Sequence, residues 1–130
     1  AGGARARQQY GLGGDSSRDD PPSSPIPTPM FVHAVYFWLR NDLTAAEVKQ
    51  FDAGVAALRS IDVVHAGYLG VPAATNRPII ERGYTRALIL VFKDEKAHDA
   101  YQVHPVHDRF RAECSPLWTK VQIFDSVGDE

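Results

Sequence analysis

The chain has 130 residues, a formal net charge of −2 and 44% hydrophobic residues, which suits one domain with its own core. The slight negative charge, without a Lys/Arg cluster, argues against nucleic-acid binding. No apolar run approaches the ~20 residues of a membrane span, and the single Cys114 cannot form an internal disulfide. We therefore expect a cytoplasmic protein that contacts neither nucleic acid nor membrane. The start at Ala1 indicates N-terminal processing or cleavage.

The first 29 residues differ in composition from the rest of the chain. Gly, Pro and Ser occupy 14 of these positions, and such a segment buries too little apolar area to offset the entropy of ordering it. The stretch GLGGDS at 11–16 is no phosphate loop, because no strand precedes it and no Gly-Lys-Ser/Thr follows. We expect residues 1–29 to form a flexible tail and residues 30–130 to form the domain.

The elements of the domain are predicted in the order β-α-β-β-α-β. The stretch FVHAVYFWL (31–39) is rich in β-branched and aromatic residues and predicts a strand. The capping box TAAE (44–47) and the apolar stripe after it predict a helix to about Arg59. Further strands are predicted at 62–71, where Gly67 and Gly70 weaken the strand or mark a bulge, and at 84–92 and 120–127. Further helices are predicted at 94–101 and 105–115. This order predicts an α+β, ferredoxin-like protomer with a four-stranded antiparallel sheet.

The first strand is apolar on both of its faces. One face carries Phe31, Val35, Phe37 and Leu39, and the other carries Val32, Ala34, Tyr36 and Trp38. An antiparallel sheet with helices on one side normally shows water a polar second face. We therefore expect a second copy to cover that face in a two-fold homodimer, giving a dimeric α+β barrel. A long loop or the tail folding over the sheet is the alternative.

The stretch YQVHPVHDRF groups a tyrosine and two histidines around Pro105. On one unbroken helix Tyr101 and His107 would point about 240° apart and could not converge. Because a residue before proline avoids the helical region, His104 is predicted to join two helices. His107, kept neutral in the first turn of the second helix, would suit proton abstraction beside a carbonyl that Tyr101 holds by a hydrogen bond. A non-catalytic ligand pocket and a purely architectural corner are the alternatives.

The remaining histidines indicate no strong metal site. The proline spoils His104 and His107 as a helical ligand pair, and no Cys pair or HExxH motif supplies further ligands. We expect no transition metal and no organic cofactor, while a weakly held Mg²⁺ on backbone and carboxylate oxygens stays compatible with the sequence. His65 and His98 are not expected to line the pocket, because each can face water. His33 is expected to be a hydrogen-bonded core residue or to line a pocket.

From Met30 to Val127 the chain resembles the stress-responsive A/B barrel (Dabb) family. The stretches that carry the resemblance are FVHAVYFWL, ERGYTRALILVF, DAYQVHPVH and KVQIFD. Members are small dimeric α+β barrels, and one plant branch performs an intramolecular aldol condensation of a linear polyketide without metal or organic cofactor. The resemblance implies that Tyr101 and His107 react and that His33 lines the pocket. Arg86 stands where that branch carries another pocket histidine.

The resemblance implies a homodimer with a pocket for a small hydrophobic or oxo-acid ligand. As an enzyme it would be a cofactor-independent cyclase or lyase on a polyketide-like or oxo-acid substrate. Tyr101 and His107 would then be catalytic, and the substrate-binding residues would be His33, Arg86 and His104. Other members are stress-induced assemblies or are linked to a divalent ion, so the alternative is a non-enzymatic stress-response, structural or ligand-binding protein. A cavity that reaches both Tyr101 and His107 would favour chemistry, whereas a filled one would favour architecture.

Overall fold

The computed structural model describes residues 30–128. Its elements are β1 (Phe31–Leu39), α1 (Ala45–Arg59), β2 (Val64–Gly70), β3 (Arg86–Phe92), α2 (Glu95–Gln102), α3 (Pro105–Cys114), a 3₁₀ turn (Ser115–Leu117) and β4 (Trp118–Val127). The predicted βαββαβ order is confirmed, and no boundary moves by more than two residues. The predicted tail, residues 1–29, lies outside the described residues.

The four strands form one antiparallel sheet in the order β2-β3-β1-β4. In the central strand β1, Val35 pairs with Leu88 of β3 on one side and with Ile123 of β4 on the other. Because side chains alternate between the faces of a strand, the odd-numbered residues of β1 all face the helices. This register places His33 on the face that the helices cover, where it lies beside Tyr101 of α2, as shown below.

Strand β2 is irregular at a different place from the one that its glycines indicated. Its pairing with β3 shifts register between Val64 and Ala66, so that the extra residue is His65. Gly67 and Gly70 lie inside the regular pairing. Gly67 instead allows a close approach, since an added Cβ would meet the Arg59 side chain at 3.0 Å.

The three helices cover one face of the sheet, and the core lies between them. Its buried side chains come from both layers: Val35, Phe37, Leu88, Leu90 and Phe92 from the strands, and Phe51, Val55, Leu58, Tyr101, Phe110 and Cys114 from the helices. The predicted burial of Cys114 is therefore confirmed. Where α1 meets α3, Gly54 is in the contact, and an added Cβ there would lie 2.9 Å from both Cys114 and Phe110.

The outer face of the sheet is apolar, as the two-sided pattern of β1 predicts. Tyr84, from the loop between β2 and β3, packs on this face, with its ring centroid 4.9 Å from Tyr36 and 6.3 Å from Trp38. The loop covers only part of it, because Tyr68 and Phe124 remain 60% and 57% exposed.

Over residues 30–128, none of the helices combines the length and the apolar character that crossing a bilayer requires.

Candidate functional site

A cavity of about 260 Å³ lies between the sheet and helices α2 and α3. Its polar lining consists of His33, Tyr101, Gln102, His107 and Arg111, and its apolar lining of Val35, Phe37, Leu58, Leu88, Phe110, Trp118, Val121 and Ile123. An apolar cleft with a few convergent polar groups is the usual form of a small-molecule site. Tyr101 and His107, whose convergence the proline break made possible, both line this one cavity.

The proline corner brings these two side chains together. His104 is extended, with a ψ of 141°, and Pro105 begins α3. The Nδ1 atom of His104 accepts a hydrogen bond of 3.0 Å from the backbone N–H of Val106, so the ring caps the helix. Tyr101 thus stands in the last turn of α2 and His107 in the first turn of α3, with ring centroids 4.9 Å apart at an interplanar angle of 71°.

Tyr101 is a protonated phenol inside the protein. It is 1% exposed, and burial raises the pKa of its hydroxyl well above the usual value near 10. The hydroxyl therefore keeps its proton throughout the neutral pH range. In this state it can donate a hydrogen bond to a carbonyl or an enolate oxygen, but it cannot act as a base.

His107 is held in its neutral form. Burial lowers its pKa, and the guanidinium of Arg111, one helical turn further on, lowers it again. Its Nδ1 atom is buried and has no hydrogen-bond partner within residues 30–128. A neutral imidazole is the form that can accept a proton.

His33 stands on the other side of Tyr101, at a centroid distance of 5.9 Å. Its Nδ1 atom lies 2.6 Å from Oδ1 of Asp125, on the neighbouring strand β4. A carboxylate only accepts hydrogen bonds, so Nδ1 carries the proton and Nε2 keeps the lone pair. Burial lowers the pKa of His33, and the hydrogen bond to Asp125 partly offsets this effect.

His98, which the sequence allowed to face water, is buried instead, although it is not part of the cavity lining. It is 9% exposed, and its ring stacks on Phe31 with centroids 4.3 Å apart. The reason is the period of α2: residues three apart share a helix face, so His98 is buried together with Tyr101. The three-residue spacing of His98 and Tyr101 was the feature of the sequence that could have indicated burial of both.

Two of the predicted substrate-binding residues do not line the cavity. Arg86 faces α1, where its Nε donates to Oδ1 of Asp52 at 2.9 Å. His104 serves as the helix cap described above. The basic group at the cavity is instead Arg111, which the sequence did not single out.

The fold and this cavity together define a small ferredoxin-like α+β protein with a pocket between its sheet and its helices. The model of the stress-responsive A/B barrel domain family matches residues 31–127. The chain belongs to this family, which confirms the resemblance seen in its sequence. Among curated proteins, no sequence matches the chain significantly.

Solved structures share the fold at low sequence identity. A Dabb-family protein with a ferredoxin-like fold from Mesorhizobium loti is 25% identical, with a TM-score of 0.64, over 78% of this chain and 99% of that one. A dimeric ferredoxin-like protein of unknown function from Thermobifida fusca is 17% identical, with a TM-score of 0.64, over 84% and 100%. A hydroxynitrile lyase from Passiflora edulis is 18% identical, with a TM-score of 0.66, over 80% and 97%.

Proposed function

We propose that this protein is a cofactor-independent lyase or cyclase that abstracts a proton next to the carbonyl of a small oxo-acid. The observation that carries the proposal is the meeting of a protonated phenol, Tyr101, and a neutral imidazole, His107, on one mainly apolar cavity. Such a reaction needs an acid that keeps its proton and a base that is free to accept one, both positioned at the substrate.

Four of the five polar groups of the cavity have a role in this reaction. Tyr101 donates a hydrogen bond to the carbonyl oxygen and stabilises the negative charge that develops there as the enolate forms. His107 takes the proton from the neighbouring carbon. Arg111, the basic residue of the lining, binds the carboxylate of the oxo-acid. His33, with its tautomer set by Asp125, presents a neutral nitrogen lone pair for a further polar group of the substrate.

The size of the cavity favours the oxo-acid over an extended polyketide chain. Pockets that enclose drug-sized ligands measure roughly 300–1,000 Å³, and this one measures about 260 Å³. Val121 and Ile123, both on β4, are part of its lining and are also exposed, so the cavity reaches the surface at this edge of the sheet. A compact substrate fits the enclosed part without displacing either helix.

One structural relative is named as a lyase. The hydroxynitrile lyase of Passiflora edulis shares the fold at a TM-score of 0.66. At 18% identity this likeness concerns the fold alone. It therefore supports only the proposal that this fold can accommodate a lyase. The reaction itself is argued from the cavity residues above.

Proton abstraction can be measured before the complete reaction is known. The protein is incubated in D₂O with pyruvate, 2-oxobutyrate or acetophenone, and deuterium uptake beside the carbonyl is followed by ¹H NMR. We expect uptake with an oxo-acid. Tyr101→Phe should slow it by roughly 10²-fold, the usual effect of losing one oxyanion donor, and His107→Gln by roughly 10²- to 10⁴-fold.

The control is His65→Gln, because His65 is exposed on β2 and is not part of the cavity lining. Uptake that survives in both Tyr101→Phe and His107→Gln would refute the assignment. Loss of uptake in His33→Gln alone would transfer the role of base to His33.

A second function is favoured by the burial of Tyr101. At 1% exposure, with Phe92 at a centroid distance of 5.1 Å, this residue is also an ordinary core tyrosine. The protein would then be a non-enzymatic stress-response protein that binds a ligand or acts through its stability. In that case no deuterium is taken up, no oxo-acid raises the melting temperature, and His107→Gln lowers the melting temperature by several degrees.

A further inference from the structure

Two histidines and a carboxylate meet beside the cavity, on the side of Tyr101 where His33 lies. One donor atom from each of His33, His98 and Asp125 lies within 4.8 Å of the other two. The three residues come from β1, α2 and β4, so the β1–β4 pairing and the packing of α2 on the sheet bring them together. The rings of His33 and His98 have centroids 4.8 Å apart.

His98 has a ring nitrogen without a partner. Its Nε2 lies 3.0 Å from the Gln102 side-chain amide, whereas its Nδ1 is buried and forms no hydrogen bond within residues 30–128. Oδ1 of Asp99 is 3.4 Å from this Nδ1 without hydrogen-bond geometry. A buried polar atom without a partner is costly, so its presence requires an explanation such as a bound ion.

We propose that His33, His98 and Asp125 form a binding site for a divalent transition-metal cation of the Zn²⁺ type. Two imidazole nitrogens and one carboxylate oxygen are ligands that suit Zn²⁺, Co²⁺ or Ni²⁺, whereas Mg²⁺ and Ca²⁺ prefer oxygen alone. Three protein ligands leave one tetrahedral position for water.

The geometry requires only a small adjustment to accept the ion. Ligands bound at about 2.1 Å in a tetrahedron are about 3.4 Å apart, so the donor atoms must move slightly from their present positions. The Asp125 side chain is 41% exposed on the edge strand β4, which leaves it free to turn. The Gln102 side chain is placed to hold the ring of His98 from behind, as outer hydrogen bonds do for histidine ligands.

The sequence did not predict this site, because its only closely spaced pair of histidines is His104 and His107. His33 and Asp125 are 92 residues apart and meet through strand pairing. The inference does not rest on the proposed proton abstraction. In the metal-free protein the Nδ1–H of His33 donates to Asp125, so the cation takes the place of this proton, which is released to solvent on binding. The metal-bound protein therefore has a different cavity wall from the metal-free protein.

The experiment uses the full chain, freed of metal with a chelator, and two probes. Zn²⁺ binding is measured by calorimetry, and Co²⁺ binding by the visible absorption of a low-coordinate cobalt centre. We expect one ion per chain. Asp125→Asn and His98→Phe should each weaken binding at least about tenfold, since even an outer-shell partner is worth that much. Phenylalanine keeps the stacking of residue 98 on Phe31, and the exposed His65→Gln is the matched control.

Binding that is unchanged in both variants would overturn the proposal and place the ion elsewhere, for example at His104 or His107. Absence of binding at one hundred micromolar Zn²⁺ would overturn it as well. If His98→Phe fails to fold, Asp125→Asn decides the question, because this substitution is at a partly exposed position and keeps a group that can hydrogen-bond to His33.

Discussion

Two neutral imidazoles, His33 and His107, flank Tyr101, and burial is the main cause of the lowered pKa of both. Neutrality inside the protein makes the chemistry proposed above available at physiological pH. It also couples the protonation of both rings to folding, because the unfolded chain exposes them to water and restores a pKa near 6.5.

Stability should therefore fall as the solution is acidified. Below about pH 6.5 the unfolded chain binds protons that His33 and His107 do not bind in the folded protein. The free energy of unfolding therefore decreases as the pH decreases. We expect urea denaturation to show a steady loss between pH 7 and pH 5.5, and a smaller loss in His107→Gln and in His33→Gln. The control is His65→Gln. A wild-type slope in both cavity variants would show that the two rings are not kept neutral by the fold.

The sequence predicted part of this site and missed the rest for a physical reason. The possibility that Tyr101 and His107 converge followed from one local rule, the effect of Pro105 on the residue before it. No local rule of this kind predicts the positions of Asp125 and Arg111. Asp125 reaches His33 through the register of β1 and β4, and Arg111 reaches the cavity through the angle at which α3 packs. Both quantities depend on the whole core.

At the scale of elements, the corner between α2 and α3 has a chemical cause that can be tested. The ring of His104 caps α3 by accepting the Val106 N–H, and His104 does not line the cavity. Replacement by alanine removes the cap, while asparagine is among the best capping residues.

We expect His104→Ala to lower the free energy of unfolding by about 0.5–2 kcal/mol, and His104→Asn to leave it nearly unchanged. Neither variant should alter the affinity for an oxo-acid, since the cavity keeps its lining. Urea denaturation and calorimetric titration measure the two quantities. Weaker ligand binding in His104→Asn, at unchanged stability, would return His104 to the substrate-binding residues.

The element boundaries show where local patterns are sufficient. β1 was predicted at 31–39 and has these bounds, because its apolar composition ends where the chain turns at Arg40. β3 was expected to start at Tyr84 but starts at Arg86. There Thr85 still donates its backbone N–H to the Phe37 carbonyl at 2.7 Å, but its hydroxyl accepts the N–H of Leu39 at 2.9 Å. A side chain thus takes one place in the ladder, and Tyr84 packs on the outer face.

At the scale of the whole molecule, the outer face of the sheet remains the main apolar surface. Phe124 and Tyr68 are exposed there, and the loop carrying Tyr84 covers only the part near Tyr36 and Trp38. The structural relative from Thermobifida fusca is described as dimeric. We expect this face to be buried against a second copy here as well, because removing apolar area from water is favourable.

We expect the wild-type chain to be a dimer that shows no stable monomer on dilution to micromolar concentration. Phe124→Asp should shift it towards monomers, because a charge would be buried without a partner in the contact. Val103→Asp is the control, since Val103 is also exposed (74%, against 57% for Phe124) but lies at the end of α2, on the helix layer. Light scattering after size-exclusion chromatography distinguishes the two states. A folded wild-type monomer at micromolar concentration would contradict the prediction.

Strand β4 carries Ile123 and Phe124 side by side, the first lining the cavity on the helix side and the second on the outer face. A shift of this strand must therefore act on the surface offered to a second copy and on the wall of the cavity together. Two equilibria that share one moving part are thermodynamically linked, and the link is reciprocal. A ligand that binds the paired chain better than the single chain will tighten the pairing by the same factor. Affinity for that ligand will then rise with the concentration of the protein itself.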